Sequence, residues 1–309
     1  MSRWILFLAG CAALTISGCA VMEQEQRPSA GTSRRPSAPA PAPATQVAAN
    51  PPKMDPSTAP AIYADSAILI DAITGETIYE KNADQRRQVA STQKLLTALL
   101  VAERGGLDEY VTVTAADAAV EPTNVGFKPG QKYTRRQLLT AMLVKSCNDA
   151  ASALGRDYAG SIEAFSAAMD AKARELGAYS SHFVNPSGLP GPQFSTARDM
   201  ARIAYAAWRK PELRAIMRMP AYRFVFNSGR SKYLESTNKL LGRVPGVDGM
   251  KTGFTYAAGR CLVTSATING RSYILVQLGS KTQYIFNDAE NMLAWASSRS
   301  QFPSFLANR

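Results

Sequence analysis

Three short motifs in a fixed order constrain this chain more than anything else in it: Ser91-Thr92-Gln93-Lys94, then Ser146-Cys147-Asn148, then Lys251-Thr252-Gly253. Together they supply a serine nucleophile, two lysines that can handle protons and charge, and hydrogen-bond donors for a peptide carbonyl. The 309 residues contain one histidine, His182. Any acyl-transfer chemistry must therefore use lysine where other serine hydrolases use imidazole.

Each motif alone is a weak signal. Ser236-Thr237-Asn238-Lys239 also fits S-x-x-K, and its first three residues fit S-x-N. It lies 12 residues before Lys251, too close for a separate S-x-N motif and its helices, so it reads as a decoy. Order and spacing favour Ser91, with Ser146 55 residues later and Lys251 a further 105.

The first 19 residues read as a signal peptide. Arg3 gives a positive start, and Trp4 to Ile16 is largely apolar but about a dozen residues long, too short to span a membrane. Ile16-Ser17-Gly18-Cys19 resembles the bacterial lipobox, which implies that Cys19 becomes the lipidated first residue of the mature protein. An ordinary cleaved signal with an incidental cysteine is the alternative. Both readings export the protein, to the periplasm or cell surface. A lipid would also hold it at a membrane, the outer one by analogy if the source has two, since Ala20 follows Cys19.

Residues 20–62 are rich in Pro and Ala, as in Pro36-Ser37-Ala38-Pro39-Ala40-Pro41. They are expected to be disordered, because so little apolar surface cannot offset ordering entropy. Such a tether is extended and semi-rigid. Residues 63–309 remain, enough for one large domain with its own core. Residues 1–65 hold five Lys/Arg and four Asp/Glu, which leaves +10 of the formal +11 on the rest. That charge favours acidic cell-wall polymers or serves solubility alone. No basic motif interleaved with aromatics argues for nucleic acid. Setting aside Cys11 and Cys19, the domain holds Cys147 and Cys261, read as free buried thiols although an exported compartment permits a disulfide. No zinc-type spacing is present, and neither metal nor cofactor is expected.

The pattern predicts strands at both ends with helices between. Ser66 to Asp71 and Glu76 to Glu80 form a hairpin across Thr74-Gly75. Helices are predicted over Ser91–Glu103, Thr134–Val144, Asn148–Tyr158, Ser161–Leu176 and Ser195–Trp208. Tyr110–Val113 is a short strand. Asn185 to Pro192 is an ordered turn series. Lys251–Thr255, Arg260–Ile268 and Ser272–Leu278 are strands, the last two joined at Asn269-Gly270, and Ile285–Ser297 is a closing helix. The expected fold is α/β in the α+β sense, with a mainly antiparallel sheet made by joining the termini. A helical cluster packs on it, with the site at the boundary.

The chemistry sets a role for each residue. Ser91 and Lys94 lie three apart at the start of a helix, on one face. A serine hydroxyl needs a base, and lysine serves only if burial or a positive neighbour lowers its pKa. Lys251 is the candidate neighbour. Ser146 can relay a proton to a leaving amine, and Asn148 can grip a peptide bond, while Cys147 points into packing. Lys251-Thr252-Gly253 is placed on an edge strand, where Gly253 allows close approach of a substrate backbone. Lys251 and Thr252 suit a terminal carboxylate. The N–H groups of Ser91 and Phe254 are the expected oxyanion hole.

These motifs, with Asn185-Pro186-Ser187-Gly188-Leu189 and Gly246-Val247-Asp248-Gly249-Met250, resemble the low-molecular-mass penicillin-binding proteins of the D-alanyl-D-alanine carboxypeptidase type. The resemblance covers residues 63–309. It implies a β-lactamase/transpeptidase-like sheet flanked by helices, and a Ser91 acyl-enzyme formed on the D-Ala-D-Ala end of peptidoglycan stem peptides. It makes Lys94 the base, Ser146 the relay, and Asn148, Thr252 and Thr255 substrate contacts. It also implies covalent inhibition by β-lactam antibiotics. Several such proteins carry an extra C-terminal β-domain and membrane helix. This chain runs 58 residues past Lys251, which weakens carboxypeptidase relative to DD-endopeptidase. Two further readings are a serine β-lactamase and a non-catalytic scaffold. Neither Glu163 nor Glu175 sits in the E-x-x-L-N setting of class A β-lactamases, and the intact Ser91, Lys94 and Lys251 argue against a scaffold.

Overall fold

The two ends of the chain build one sheet. In the computed structural model, which describes residues 55–298, β1 (Ser66–Asp71) and β2 (Thr77–Lys81) come from the N-terminal side. A 3-10 turn over Ala90–Gln93 leads into α1 (Lys94–Arg104). Next come β3 (Tyr110–Thr112), α2 (Ala115–Ala118), β4 (Lys132–Thr134), α3 (Arg135–Val144), α4 (Asn148–Ala159), α5 (Ile162–Glu175), α6 (Ala197–Trp208) and α7 (Pro211–Met217). The hairpin of β5 (Ala221–Val225) and β6 (Ser231–Glu235) precedes β7 (Val247–Thr255), β8 (Gly259–Ile268), β9 (Arg271–Ser280) and α8 (Ile285–Ser298). The main sheet is antiparallel in the order β2-β1-β9-β8-β7. The termini join where Ile68 of β1 faces Val276 of β9.

Both faces of this sheet are covered, which explains why all six residues of β1 are buried. Ile68, Ile70, Val263, Ile274 and Val276 face the core shared with the central helices. Leu69, Leu262, Tyr273 and Leu275 face the second core, under Ile285, Met292 and Leu293 of α8. Helix α1 is buried along its first eight residues, Lys94 to Val101. That accounts for its nearly continuous apolar character, as in any helix enclosed on all sides. Thr134 caps α3 as predicted, in a reciprocal box with Gln137.

Five features differ from the sequence expectation, the first being that β7 starts at Val247 and not at Lys251. Ser91 does not lie in an α-helix; it sits in the 3-10 turn, and the α-helix begins at Lys94. Residues 55–62, expected to be disordered, are ordered. Ile62 is buried, Lys81 Nζ donates to the Ile62 carbonyl at 2.9 Å, and Trp295 Nε1 donates to Thr58 Oγ1 at 3.2 Å. The rest of the sheet and α8 supply the apolar surface that this stretch lacks by itself. Helix α6 starts at Ala197, because Thr196 is its cap and Ser195 pairs with Arg87 as an isolated bridge. The β5–β6 hairpin, α7, α2 and β4 carry too few patterned residues to be read in advance. The signal segment with Cys19, the tether through residue 54 and residues 299–309 lie outside the described residues.

Leu99 is fully buried between α1 and the surrounding core. Leu99→Ala is expected to cost about 2–5 kcal/mol, read as a lower urea midpoint with an unchanged slope.

Candidate active site

The three motifs meet between the 3-10 turn, the α3–α4 junction and the edge strand β7. In a 3-10 turn, residues i and i+3 eclipse one another. Ser91 and Lys94 therefore stack, and Lys94 Nζ lies 3.0 Å from Ser91 Oγ. The same amine lies 2.7 Å from Asn148 Oδ1 and 2.5 Å from the Ser187 carbonyl oxygen. Lys94 has no solvent exposure. Burial first, and then the nearby charge of Lys251, hold its pKa well below the ordinary lysine value. As a neutral amine Lys94 has two N–H donors and one lone pair. The two carbonyl oxygens take the donors, and the lone pair faces the Ser91 hydroxyl.

The loop Asn185–Leu189 is fastened to this turn side chain by side chain. Gln93 Nε2 donates to the Asn185 carbonyl at 2.6 Å, and Thr97 Oγ1 to the Pro186 carbonyl at 2.8 Å. Ser91 Oγ can also donate to the Ser187 carbonyl at 3.2 Å. Gly188 has φ +80°, and a Cβ there would lie 2.1 Å from the Ala90 carbonyl oxygen, so no other residue fits. The sequence marks this loop as ordered, but it does not reveal that the Ser187 carbonyl is a partner of both Ser91 and Lys94.

On the opposite side, Gly253 of β7 packs against the turn. A Cβ on Gly253 would lie 2.9 Å from the Ser91 nitrogen and 3.1 Å from the Thr92 nitrogen. Lys251 is fully buried, and its Nζ donates to the Thr252 carbonyl at 2.8 Å. Burial lowers its pKa to about 7. Phe254 is exposed beside the site, and Arg260 sits 4.3 Å over its ring. The Thr255 oxygen accepts from the Ala258 N–H at 3.0 Å, so it closes the β7–β8 turn.

Ser146 lies at the α3–α4 junction with φ +72°, and its hydroxyl makes no hydrogen bond among the described residues. Cys147 points into the core, where burial pushes its thiol up to about 12. Cys261 is the second free thiol, also buried. Asn148 N donates to the Thr123 carbonyl at 2.6 Å. Asp149 accepts from the N–H groups of Val125 and Gly126 at 2.8 and 3.0 Å, which pins the loop between α2 and β4 to the start of α4. Each motif has one non-glycine residue in the left-handed region at its first position or directly before it: Ala90 at +48°, Ser146 at +72° and Met250 at +87°. Such strain persists where the surrounding structure over-determines it, and it gathers at working sites.

Sequence reasoning missed one side chain outright. Thr237, set aside within the decoy, has its hydroxyl oxygen 2.6 Å from Thr252 Oγ1. Lys239 of that stretch is exposed, so the stretch contributes a hydroxyl to the site and no lysine. No signal at the level of spacing distinguishes the two outcomes.

Fold and site together define a serine hydrolase with two buried lysines beside its serine. The profile of the D-alanyl-D-alanine carboxypeptidase family matches residues 53–282, and the chain belongs to that family. It is 36% identical over 218 residues to the D-alanyl-D-alanine carboxypeptidase DacB2 of Mycobacterium tuberculosis, covering 70% of this chain and 74% of that protein. It is 33% identical over 260 residues to the D-alanyl-D-alanine endopeptidase of Escherichia coli, covering 79% and 80%. Among solved structures, an evolved putative penicillin-binding protein homolog from Mycobacterium tuberculosis superposes with a TM-score of 0.76 at 32% identity, covering 82% of this chain and 97% of that one.

Lys251 titrates near 7 in the fold against an ordinary value of 10.5. Between these values the unfolded chain holds a proton that the fold lacks, so this lysine makes stability rise with pH. Below about 7 both states are charged and its contribution is flat. Lys251→Met is expected to remove up to about 1.4 kcal/mol per pH unit of that rise between pH 7 and 10, read from denaturation midpoints across the range.

Proposed function

We propose that this protein is a serine-type D-alanyl-D-alanine carboxypeptidase that trims peptidoglycan stem peptides through a Ser91 acyl-enzyme. The observation that carries the reading is the buried Lys94 amine shared by Ser91 Oγ, Asn148 Oδ1 and the Ser187 carbonyl. Burial and the charge of Lys251 push this amine toward its neutral form, which is what a general base for serine requires.

Neutral Lys94 takes the Ser91 proton as Oγ attacks the carbonyl carbon of the penultimate D-alanine. The N–H groups of Ser91 and Phe254 hold the oxyanion; the close seat of Gly253 on the Ser91 nitrogen supports this pairing. Ser146 passes a proton to the departing amine, and Asn148 and Thr255 hold the peptide. The terminal carboxylate is met by Lys251, Thr252 and the Gly253 strand. That carboxylate raises the Lys251 pKa again and draws a proton onto it. The C–N bond breaks, D-alanine leaves, and water then hydrolyses the Ser91 ester. A β-lactam acylates Ser91 by the same attack. β7 is an edge strand, so an extended peptide can add to the sheet there.

A DD-endopeptidase is the second reading, favoured by the Escherichia coli endopeptidase, of which the chain covers 80%. Purified muropeptides separate the two. Loss of one D-alanine from pentapeptide monomers is the expected result. Cutting of cross-linked dimers with monomers spared would replace it with the endopeptidase reading. Ser91→Ala is expected to lower either rate at least about a thousandfold, followed by mass spectrometry of the products.

We also propose an exported, lipid-anchored protein, held in the periplasm or at the cell surface through Cys19. Support comes from the short apolar segment before the lipobox-like Ile16-Ser17-Gly18-Cys19. Cys19→Ala is expected to move the protein from the membrane to the soluble fraction and to abolish labelling by a radiolabelled fatty acid. Membrane retention by the variant would sink the anchor.

A further inference from the structure

The segment 236–240 is a strap between two of the three motifs. Ser236 N donates to the Pro220 carbonyl at 2.8 Å, and Thr237 N donates to the Val144 carbonyl at 3.2 Å, two residues before Ser146. On the other side, Asn238 Nδ2 donates to the Gly249 carbonyl at 3.0 Å and lies 3.4 Å from Thr264 Oγ1. The Asn238 side chain is buried, and its Oδ1 accepts from Leu240 N at 3.1 Å. The backbone of Thr237 is thus fixed by α3 and its side-chain neighbour is fixed by β7. A hydroxyl mounted on such a strap has little freedom, and its oxygen accepts from Thr252 Oγ1 at 2.6 Å.

We propose that Thr237 is a positioning residue that orients the Thr252 hydroxyl toward the terminal carboxylate of the substrate. The assignment rests on the carboxypeptidase reading of the site. A hydroxyl carries one donor and two acceptor positions. When Thr237 donates to Thr252, the Thr252 proton is free to point outward at an anion, and donation along the chain strengthens it. When Thr252 spends its own proton on Thr237, it offers the anion nothing. The structure shows the second arrangement, with Thr252 donating to Thr237; an approaching carboxylate draws the Thr252 proton outward and turns the pair into the first. Among the described residues, no lysine or arginine side chain hydrogen-bonds either hydroxyl, so their mutual contact is what fixes the direction. Without Thr237 the Thr252 hydroxyl is free to rotate, and part of the carboxylate recognition is lost.

The test is a double-mutant cycle on the full chain, using diacetyl-L-lysyl-D-alanyl-D-alanine and measuring D-alanine release. Thr237→Val is expected to lower kcat/KM by roughly five- to tenfold, the worth of one hydrogen bond, mainly through KM. Thr237→Ser is expected to retain nearly the wild-type value. In a Thr252→Val background, Thr237→Val is expected to add no further loss, because its only route to the substrate is gone. Thermal melting shows whether each variant is folded, and Thr237→Ala takes the place of valine in the cycle if valine unfolds the strap. Losses that multiply in the double variant, or an unchanged kcat/KM in Thr237→Val, would overturn the assignment. If the wild type releases no D-alanine while Ser91→Ala behaves the same, the parent reading fails first and the role of Thr237 falls with it.

Discussion

The site depends on one buried amine. Lys94 has no solvent exposure, and every group it touches is supplied by a different part of the chain: Ser91 by the 3-10 turn, Asn148 by the start of α4, Ser187 by the loop before α6. A charged ammonium would be costly to keep there. The neutral amine fits, because two carbonyl oxygens take its two protons and its lone pair is left toward the serine. The same burial that makes a charged lysine costly lowers its pKa, as the proposed role of a base requires. Lys251, also buried, lowers the Lys94 pKa further and is itself brought down to about 7.

The surrounding architecture serves to hold these pieces in contact. Gly253 lets the edge strand lie against the Ser91 turn, and Gly188 lets the Ser187 loop close from the other side. Gln93 and Thr97 fasten that loop to the 3-10 turn and to the first turn of α1. Ala90, Ser146 and Met250 are each forced into the left-handed region beside a functional residue. At about 1–3 kcal/mol apiece, this strain needs a well-packed frame. The doubly covered sheet and the enclosed α1 provide one.

A lysine-based site also differs from a histidine-based one in how it depends on its setting. Imidazole titrates near neutrality without help. An amine reaches that range only through desolvation or a neighbouring cation, so its function cannot be separated from packing. Substitutions in the core around α1 therefore bear on chemistry as well as stability.

Much of this was legible in the residues. The apolar runs at both ends, with Asn269-Gly270 between the last two long strands, pointed to a sheet closed by the termini, and β1 does pair with β9. The motif order picked out Ser91, Lys94, Ser146, Asn148 and Lys251, because a serine nucleophile in a chain with one histidine leaves few other bases. Local pattern failed where structure is made by distant contacts. The 3-10 turn under Ser91 is imposed by Gly253 and the Ser187 loop, and the ordering of residues 55–62 comes from β2 and α8. Thr237 looked like part of a spurious motif, because only the strap from Val144 to Gly249 puts it against Thr252. The sequence by itself determined which chemical groups exist and the order in which they are strung. The tertiary structure decided which of them lose their water and which hydroxyl faces which, since burial and direction are properties of neighbours far apart in the chain.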